Sequence, residues 1–125
     1  MTEKFLTLND LAVYKIAFHL SNYIWNIVAR WNFLAQKTVG MQFITAADSI
    51  AANIAEGFGR YNKKDKIKFY RYSFGSVYES LDWNEKSKIR KLLTTEQYQH
   101  VFDELKRLPR ELHHLIKFTN EKLTI

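Results

Sequence analysis

One proline and four glycines in 125 residues leave this chain few places to turn. A β-rich or α/β fold of this length needs many short elements joined by glycine- and proline-containing turns. Apolar residues instead recur at three- and four-residue steps almost throughout, which is the period of an α-helix. The chain is therefore expected to be all-α, one domain spanning residues 1–125, built from a few long helices.

Four such helices can be delimited. The first runs from about Asn9 to Trp31, capped by Asn9 or Asp10, whose side-chain oxygens can accept from free first-turn amides. Its stripe is Leu11, Tyr14, Ala17, Ser21, Ile24 and Val28, widened by Val13, Phe18, Leu20, Trp25 and Ile27. A second spans about Thr38 to Phe58, with Phe43, Ala47, Ile50 and Ile54 on one face, and Gly57 or Gly59 is placed to end it in the left-handed conformation. A third spans about Lys64 to Leu92, capped by Asn62, with Ile67, Tyr70, Phe74, Val77, Tyr78 and Leu81 in step. The fourth runs from about Thr95 to Lys122 along Tyr98, Val101, Phe102, Leu105, Leu108, Leu112, Leu115 and Ile116. Pro109 lies inside it and predicts a kink near Lys106 to Leu108. Four amphipathic rods with short connections fit an antiparallel up-down-up-down bundle. That register sets Gly75 opposite the Ala46-Ala47-Ser49 region, where small side chains would let two backbones approach closely.

Composition limits the chemistry. The absence of cysteine excludes disulfides, thiolate zinc sites and cysteine nucleophiles and fits a reducing cytoplasm. No secretory leader is expected from the first residues, and no apolar run approaches the ~20 residues of a membrane span. Aromatic residues reach 15%, more than one small core needs, which points to burial in a homo-oligomer. The net charge of +6 favours polyanions.

No catalytic constellation emerges. A bundle di-metal site needs two Glu-x-x-His pairs and two further carboxylates, and only Glu111 and His114 supply such a pair. Glu56, Glu79 and Glu85 have no histidine three residues on. His113 and His114 sit instead near a helix C-terminus, where a cationic imidazole is favoured. Ser49, Ser73, Ser76 and Ser80 lie within helices without a histidine beside them in sequence. Gly57-Phe58-Gly59 follows a helix rather than a strand, so it is not a phosphate loop. No catalytic residue, metal ligand or cofactor is expected.

One segment departs from this blandness. Between Arg60 and Tyr72 six basic residues face one acid. Lys64, Lys68 and Arg71 share a helical face; Arg60, Lys63 and Lys66 cluster at the turn. These cations suit phosphate contacts, and Tyr61, Phe69 or Tyr72 could stack on bases. Cations at a helix start oppose the macrodipole, so their presence asks for a reason. A second feature is the polar stripe Ser49, Asn53 and Glu56, which with Ser76 and Glu79 is expected to form a structural network fixing helix register or a subunit contact.

These residues carry a resemblance. The run Gln42-x-x-x-Ala46-Ala47-Asp48-Ser49-Ile50-x-x-Asn53-Ile54-Ala55-Glu56-Gly57, followed by Gly75-Ser76-x-Tyr78-Glu79, resembles the four-helix bundle family of 23S ribosomal RNA intervening-sequence proteins, sometimes labelled ribosomal protein S23. The opening Leu8-x-x-Leu11-x-Val13-Tyr14-x-x-Ala17 is similar to that family too. The chain departs from its pattern where arginines often stand, at Ile44 and Thr45 and at Phe74. The resemblance implies a bacterial cytoplasmic protein, a ring-like homopentamer, and kinship with the nucleic-acid-binding accessory protein of diversity-generating retroelements. It implies no enzyme activity. The expected function is a non-catalytic bundle that associates with structured RNA or DNA through Arg60, Tyr61, Lys63, Lys64, Lys66, Lys68 and Arg71. The rival expectation is an adaptor that binds a protein partner such as a reverse transcriptase.

Overall fold

The computed structural model describes residues 6–123. Among these residues there are four long helices and no strand: α1 (Ala12–Val28), α2 (Met41–Phe58), α3 (Lys63–Ile89) and α4 (Thr95–Lys122). Each packs on its neighbours in sequence, and α4 returns to pack on α1. The core draws on all four rods, with Leu20 and Ile24, Phe43, Ile50 and Ile54, Tyr70 and Val77, and Leu105, Leu108 and Leu112 essentially inaccessible.

The helix ends show why the boundaries fall where they do. Periodicity places the first helix from Asn9, but Leu8–Asp10 forms a separate 3-10 turn, tied by the Thr7 amide donating to the Asp10 carboxylate at 2.7 Å. Leu11 is extended (φ −83, ψ 114), and α1 starts only after it. At the other end α1 stops at Val28 instead of Trp31, and Asn32 opens the next rod by accepting from the Ala35 amide at 3.0 Å. That rod begins at Phe33, five residues before the expected Thr38, as one α-turn (Phe33–Ala35) followed by a π-helical stretch (Gln36–Gly40) that leads into α2. The Gln36 side-chain amide donates to the Val28 and Ala29 carbonyls at 3.2 and 3.0 Å, so it adds side-chain donors to the last carbonyls at the end of α1.

Asn62 caps α3 as expected, accepting from the Asp65 amide at 2.8 Å. That helix ends at Ile89 rather than Leu92. Lys91 adopts φ 61, and the amides of Leu92 and Lys91 return to the carbonyls of Ser87 and Lys88 at 2.8 and 3.0 Å. This is a Schellman closure with lysine where glycine is usual, which is why the sequence carries no stop signal there. Thr94 and Gln97 form a reciprocal capping box on α4, both bonds at 3.0 Å. Pro109 does not interrupt α4.

The α2–α3 contact differs from expectation in three respects. First, Gly75 faces solvent, with open space where a Cβ would stand. The buried line of α3 is Tyr70, Ser73, Val77, Ser80, Asn84 and Ser87, and Gly75 lies on the opposite side of the helix from Ser73. Tyr78, expected in the core, is 62% exposed for the same reason. Second, Ser73 takes the place assigned to Gly75 on the inward face: it is fully buried and its hydroxyl donates to the Ile50 carbonyl of α2 at 2.8 Å. Third, no described glycine has positive φ, so neither Gly57 nor Gly59 is a left-handed cap. Gly57 is needed for contact: a Cβ there would stand 2.7 Å from Tyr70 Cε1 and 2.9 Å from the Lys66 carbonyl.

Two outcomes follow for stability. Gly57→Ala forces the Tyr70 ring and the α3 backbone apart and should cost about 1–3 kcal/mol, whereas Gly75→Ala fills open space on an exposed helix and should gain up to about 1 kcal/mol; chemical denaturation at dilute protein concentration reads both. Burial pushes the Tyr70 phenol up to about 12. A raised pKa stabilises the fold fully below the ordinary tyrosine value near 10, and that contribution is lost as pH climbs towards 12. The parent chain should therefore lose stability more steeply above pH 10 than Tyr70→Phe does, measured as denaturation midpoints across that window.

Candidate nucleic-acid interface

The basic segment begins in the short turn after α2 and continues along the first turns of α3. The structure divides its cations into two groups with different work. Lys63 donates to the Asn120 and Leu123 carbonyls, both at 3.3 Å, at the C-terminus of α4. Lys66 donates to the Phe58 carbonyl at the C-terminus of α2 at 2.6 Å, and its ammonium lies 5.4 Å from the Phe58 ring centre. Burial holds the Lys66 ammonium below its ordinary pKa. Arg60 pairs with Glu56 at 3.1 Å and sits over the Phe69 ring at 4.6 Å. The macrodipole argument is answered for these residues: the start of α3 lies beside the carbonyl ends of α2 and α4, whose partial negative charge offsets the cost of lysine there.

Lys64, Lys68 and Arg71 remain. They are exposed, spaced at i, i+4 and i+7, and make no ion pair among the described residues. They line a surface groove together with Lys63, Asp65, Ile67, Tyr72 and Asn120. The Lys68 ammonium lies 5.8 Å from the Phe69 ring centre, and Phe69 in turn packs edge-on against Tyr72 at 5.4 Å. Tyr61 is 78% exposed at the turn and Tyr72 is 49% exposed beside Arg71. The outward face of early α3 is thus a row of three cations bordered by two accessible phenol rings. Asn120, which joins this groove from α4, carried no sequence signal, because only packing brings residues so far apart together.

The polar stripe is built differently from the expected network. Ser49 donates to the Thr45 carbonyl at 2.7 Å and Asn53 to the Ser49 carbonyl at 2.9 Å, each one turn back on its own helix. Ser76 points to the Tyr72 carbonyl at 3.4 Å, and Glu79 accepts from Trp83 Nε1 at 3.3 Å. None of these bonds crosses between helices. The polar bridges between rods lie elsewhere: Ser21 to the Asp48 carboxylate at 2.6 Å, Ser73 to Ile50, and Asn84 to the Tyr98 carbonyl at 3.3 Å. Tyr98 also donates a short hydrogen bond to the Glu85 carboxylate, which raises the pKa of its phenol.

For metal chemistry, no cluster of three or more histidine or acidic side chains is placed to hold an ion among the described residues. Glu111 and His114 border a small groove with Asp10, Leu11, Leu115 and Phe118, and no second carboxylate–histidine pair joins them among the described residues. No helix among the described residues is long and apolar enough to cross a membrane.

The fold and sequence find relatives. A crystal structure of a protein of unknown function from the S23 ribosomal protein family of Bacteroides thetaiotaomicron superimposes with a TM-score of 0.73 at 22% identity, over 82% of this chain and 96% of that one. At that identity the likeness is one of fold. No curated protein matches the chain. The sequence model of the 23S rRNA-intervening sequence proteins matches residues 9–114, a span that takes in α1 to α3, most of α4 and the whole basic segment. The chain belongs to the 23S rRNA-intervening sequence protein family.

Proposed function

We propose that this protein is a non-catalytic, cytoplasmic bundle that associates with RNA or DNA through the outward face of early α3. The observation that carries the reading is the row of Lys64, Lys68 and Arg71, exposed and outside any ion pair among the described residues while neighbouring cations are engaged inside the molecule. Three cations at successive turns follow a phosphate chain, and Tyr61 and Tyr72 offer flat faces to unstacked bases. Lys63, Lys66 and Arg60, expected from the sequence to touch nucleic acid, become supports that fix the platform. The pairings of Lys63 with the end of α4, Lys66 with the end of α2, and Asn84 with Tyr98 support an antiparallel up-down-up-down course.

A second reading rests on a different surface. Trp25, Met41 and Ile44 line an apolar groove between α1 and α2, and Phe33 and Leu34 are more than 70% exposed at the adjoining rod start. Exposed apolar surface of this kind marks a protein contact. It supports assembly into a homo-oligomer, the family's ring-like homopentamer among the options, or docking of a protein adaptor partner. A ring would repeat the cationic row around its rim and raise affinity through multivalency.

Fluorescence anisotropy against a single-stranded oligonucleotide tests the first reading. Removing one cation–phosphate interaction should reduce the slope of log affinity against log salt by about 0.7. Replacing Lys64, Lys68 and Arg71 together with Gln should therefore flatten the slope by about 2. Lys63→Gln and Lys66→Gln should lower thermal stability and leave the slope unchanged. Oligonucleotide affinity that is independent of salt, or unmoved by the triple substitution, would overturn the reading in favour of the protein contact.

A further inference from the structure

A second row of cations, on α4, has no work inside the molecule. Side chains at steps of four and three run the length of that helix: Tyr98, Phe102, Lys106, Arg110, His113, Lys117 and Asn120. Such steps keep them on one face. Both ends of the line are anchored to α3. At the start, Tyr98 bonds to the Glu85 carboxylate and carries the Lys88 ammonium 4.3 Å from its ring centre, with Phe102 stacked beside it at 5.9 Å. At the far end, Asn120 joins the groove of Lys64, Lys68 and Arg71. The stretch between therefore faces the side of α4 that borders α3.

Lys106, Arg110, His113 and Lys117 are all exposed, and none makes an ion pair among the described residues. The Lys106 ammonium lies 5.4 Å from the Phe102 ring centre. The nearby acids are engaged or turned elsewhere. Glu104 pairs with Arg107 at 2.8 Å, Asp103 accepts from the Gln99 amide at 2.8 Å, and Glu111 borders the groove of Leu11 and Phe118 on the α1 side. Two bonds set the level of this row against α3: Lys63 to the Asn120 carbonyl, and Asn84 to the Tyr98 carbonyl. Counting along both helices from these bonds, Lys64, Lys68 and Arg71 come level with Thr119, Leu115 and Leu112. Lys117 and His113 stand within a turn of those positions, so the two rows lie side by side.

We propose that α3 and α4 form the two walls of one basic furrow, and that a single strand of nucleic acid lies along it. Its phosphates are shared between Lys64, Lys68 and Arg71 on one wall and Lys106, Arg110 and Lys117 on the other. The proposal rests on the polyanion reading and adds a second wall to its site. Charge complementarity carries it, because a phosphate chain is the polymer that neighbouring lines of unpaired cations match. The apolar and aromatic surface of Ile67 and Tyr72 in the groove suits bases that are unstacked, which a single strand offers and a duplex does not. Asn120 stands at the head of the furrow with a side-chain amide that can both donate and accept, the kind of group that touches a base edge. At the helical rise of about 1.5 Å per residue, Lys106 to Lys117 spans about 16 Å. That length matches about five nucleotides at a spacing of about 3.4 Å.

Salt titration of binding to a single-stranded oligouridine longer than the furrow tests it. Replacing Lys106, Arg110 and Lys117 together with Gln should flatten the slope of log affinity against log salt by about 2. Replacing Lys15, Arg30 and Lys37 with Gln removes the same charge from exposed positions outside the furrow and should leave the slope unchanged. A second measurement reads the contact directly, because the chain has no cysteine. Arg110→Cys and Lys117→Cys each place one thiol on the α4 wall, and saturating oligouridine should slow their alkylation several-fold. The thiol of Lys15→Cys should react at the same rate with or without it. If the α3 substitutions move the slope while the α4 substitutions do not and the thiols stay unprotected, the furrow is overturned and the polyanion reading stands. A slope set by the α4 row alone overturns the furrow too, since it needs both walls, and a slope moved by neither set ends both proposals. A duplex that binds as tightly as the single strand and protects the same thiols overturns the single-stranded assignment.

Discussion

The contact between α2 and α3 organises the molecule. It is close where Gly57 lies under the Tyr70 ring and Ser73 meets the Ile50 backbone, and Ala46, Ala47 and Ala51 are small buried residues of α2. Close packing of this kind tolerates no added volume. The Ser73 hydroxyl donating to the Ile50 carbonyl adds direction to a contact that apolar packing alone would leave free to slide. With α2 and α3 locked in register, the short turn between them is held firmly, and so is everything built on it.

That turn explains the distribution of charge. Where helices pack with their ends together, the electropositive start of one lies beside the electronegative ends of others. Lys63 and Lys66 occupy that junction, and each bonds to carbonyls left open at a neighbouring helix end. A lysine-rich start to α3 is therefore part of the architecture, and only the residual cations stay exposed and outside the ion pairs among the described residues. Lys64, Lys68 and Arg71 are those residues, selected by helical spacing: they point away from the seam that engages the others. The same logic accounts for the serines of α3. Ser73 and Ser80 are buried and bonded to backbone carbonyls, so this helix contributes to the core through fit and hydrogen bonding more than through apolar bulk.

Much of this is legible in the sequence, for physical reasons that are local. Asn62 is a helix cap, as expected, because the cap depends on a side chain and an amide three residues on. The stripes of α2 and α4 are strongly apolar and periodic: Phe43, Ala47, Ile50 and Ile54, and Val101, Leu105, Leu108 and Leu112, are buried as expected, while Tyr98, Phe102, Leu115 and Ile116 are half-buried. Expectation and structure part where the signal is not local. In α3, Tyr70 and Val77 are buried and Phe74 and Leu81 pack against the core as expected, but periodicity counts the apolar Tyr78 as inward and overlooks the small polar Ser73 and Ser80 that are buried in its place. Lys91 closes α3 without glycine, and Gln36 caps α1 from eight residues beyond Val28. Such bonds are invisible until the chain is folded.

The sequence by itself determined an all-helical chain of four rods, the Asn62 cap that starts one of them, the family motif and a basic segment. These depend on periodicity and on neighbours within a turn. The tertiary structure alone decided which cations are engaged and which are free, that Gly57 is a packing residue and Gly75 a surface one, and that Ser73 spans the seam. Those assignments depend on which face of each rod turns inward and on which helix ends come together. A helix can rotate about its own axis without changing its sequence, and only packing against the other three sets that angle.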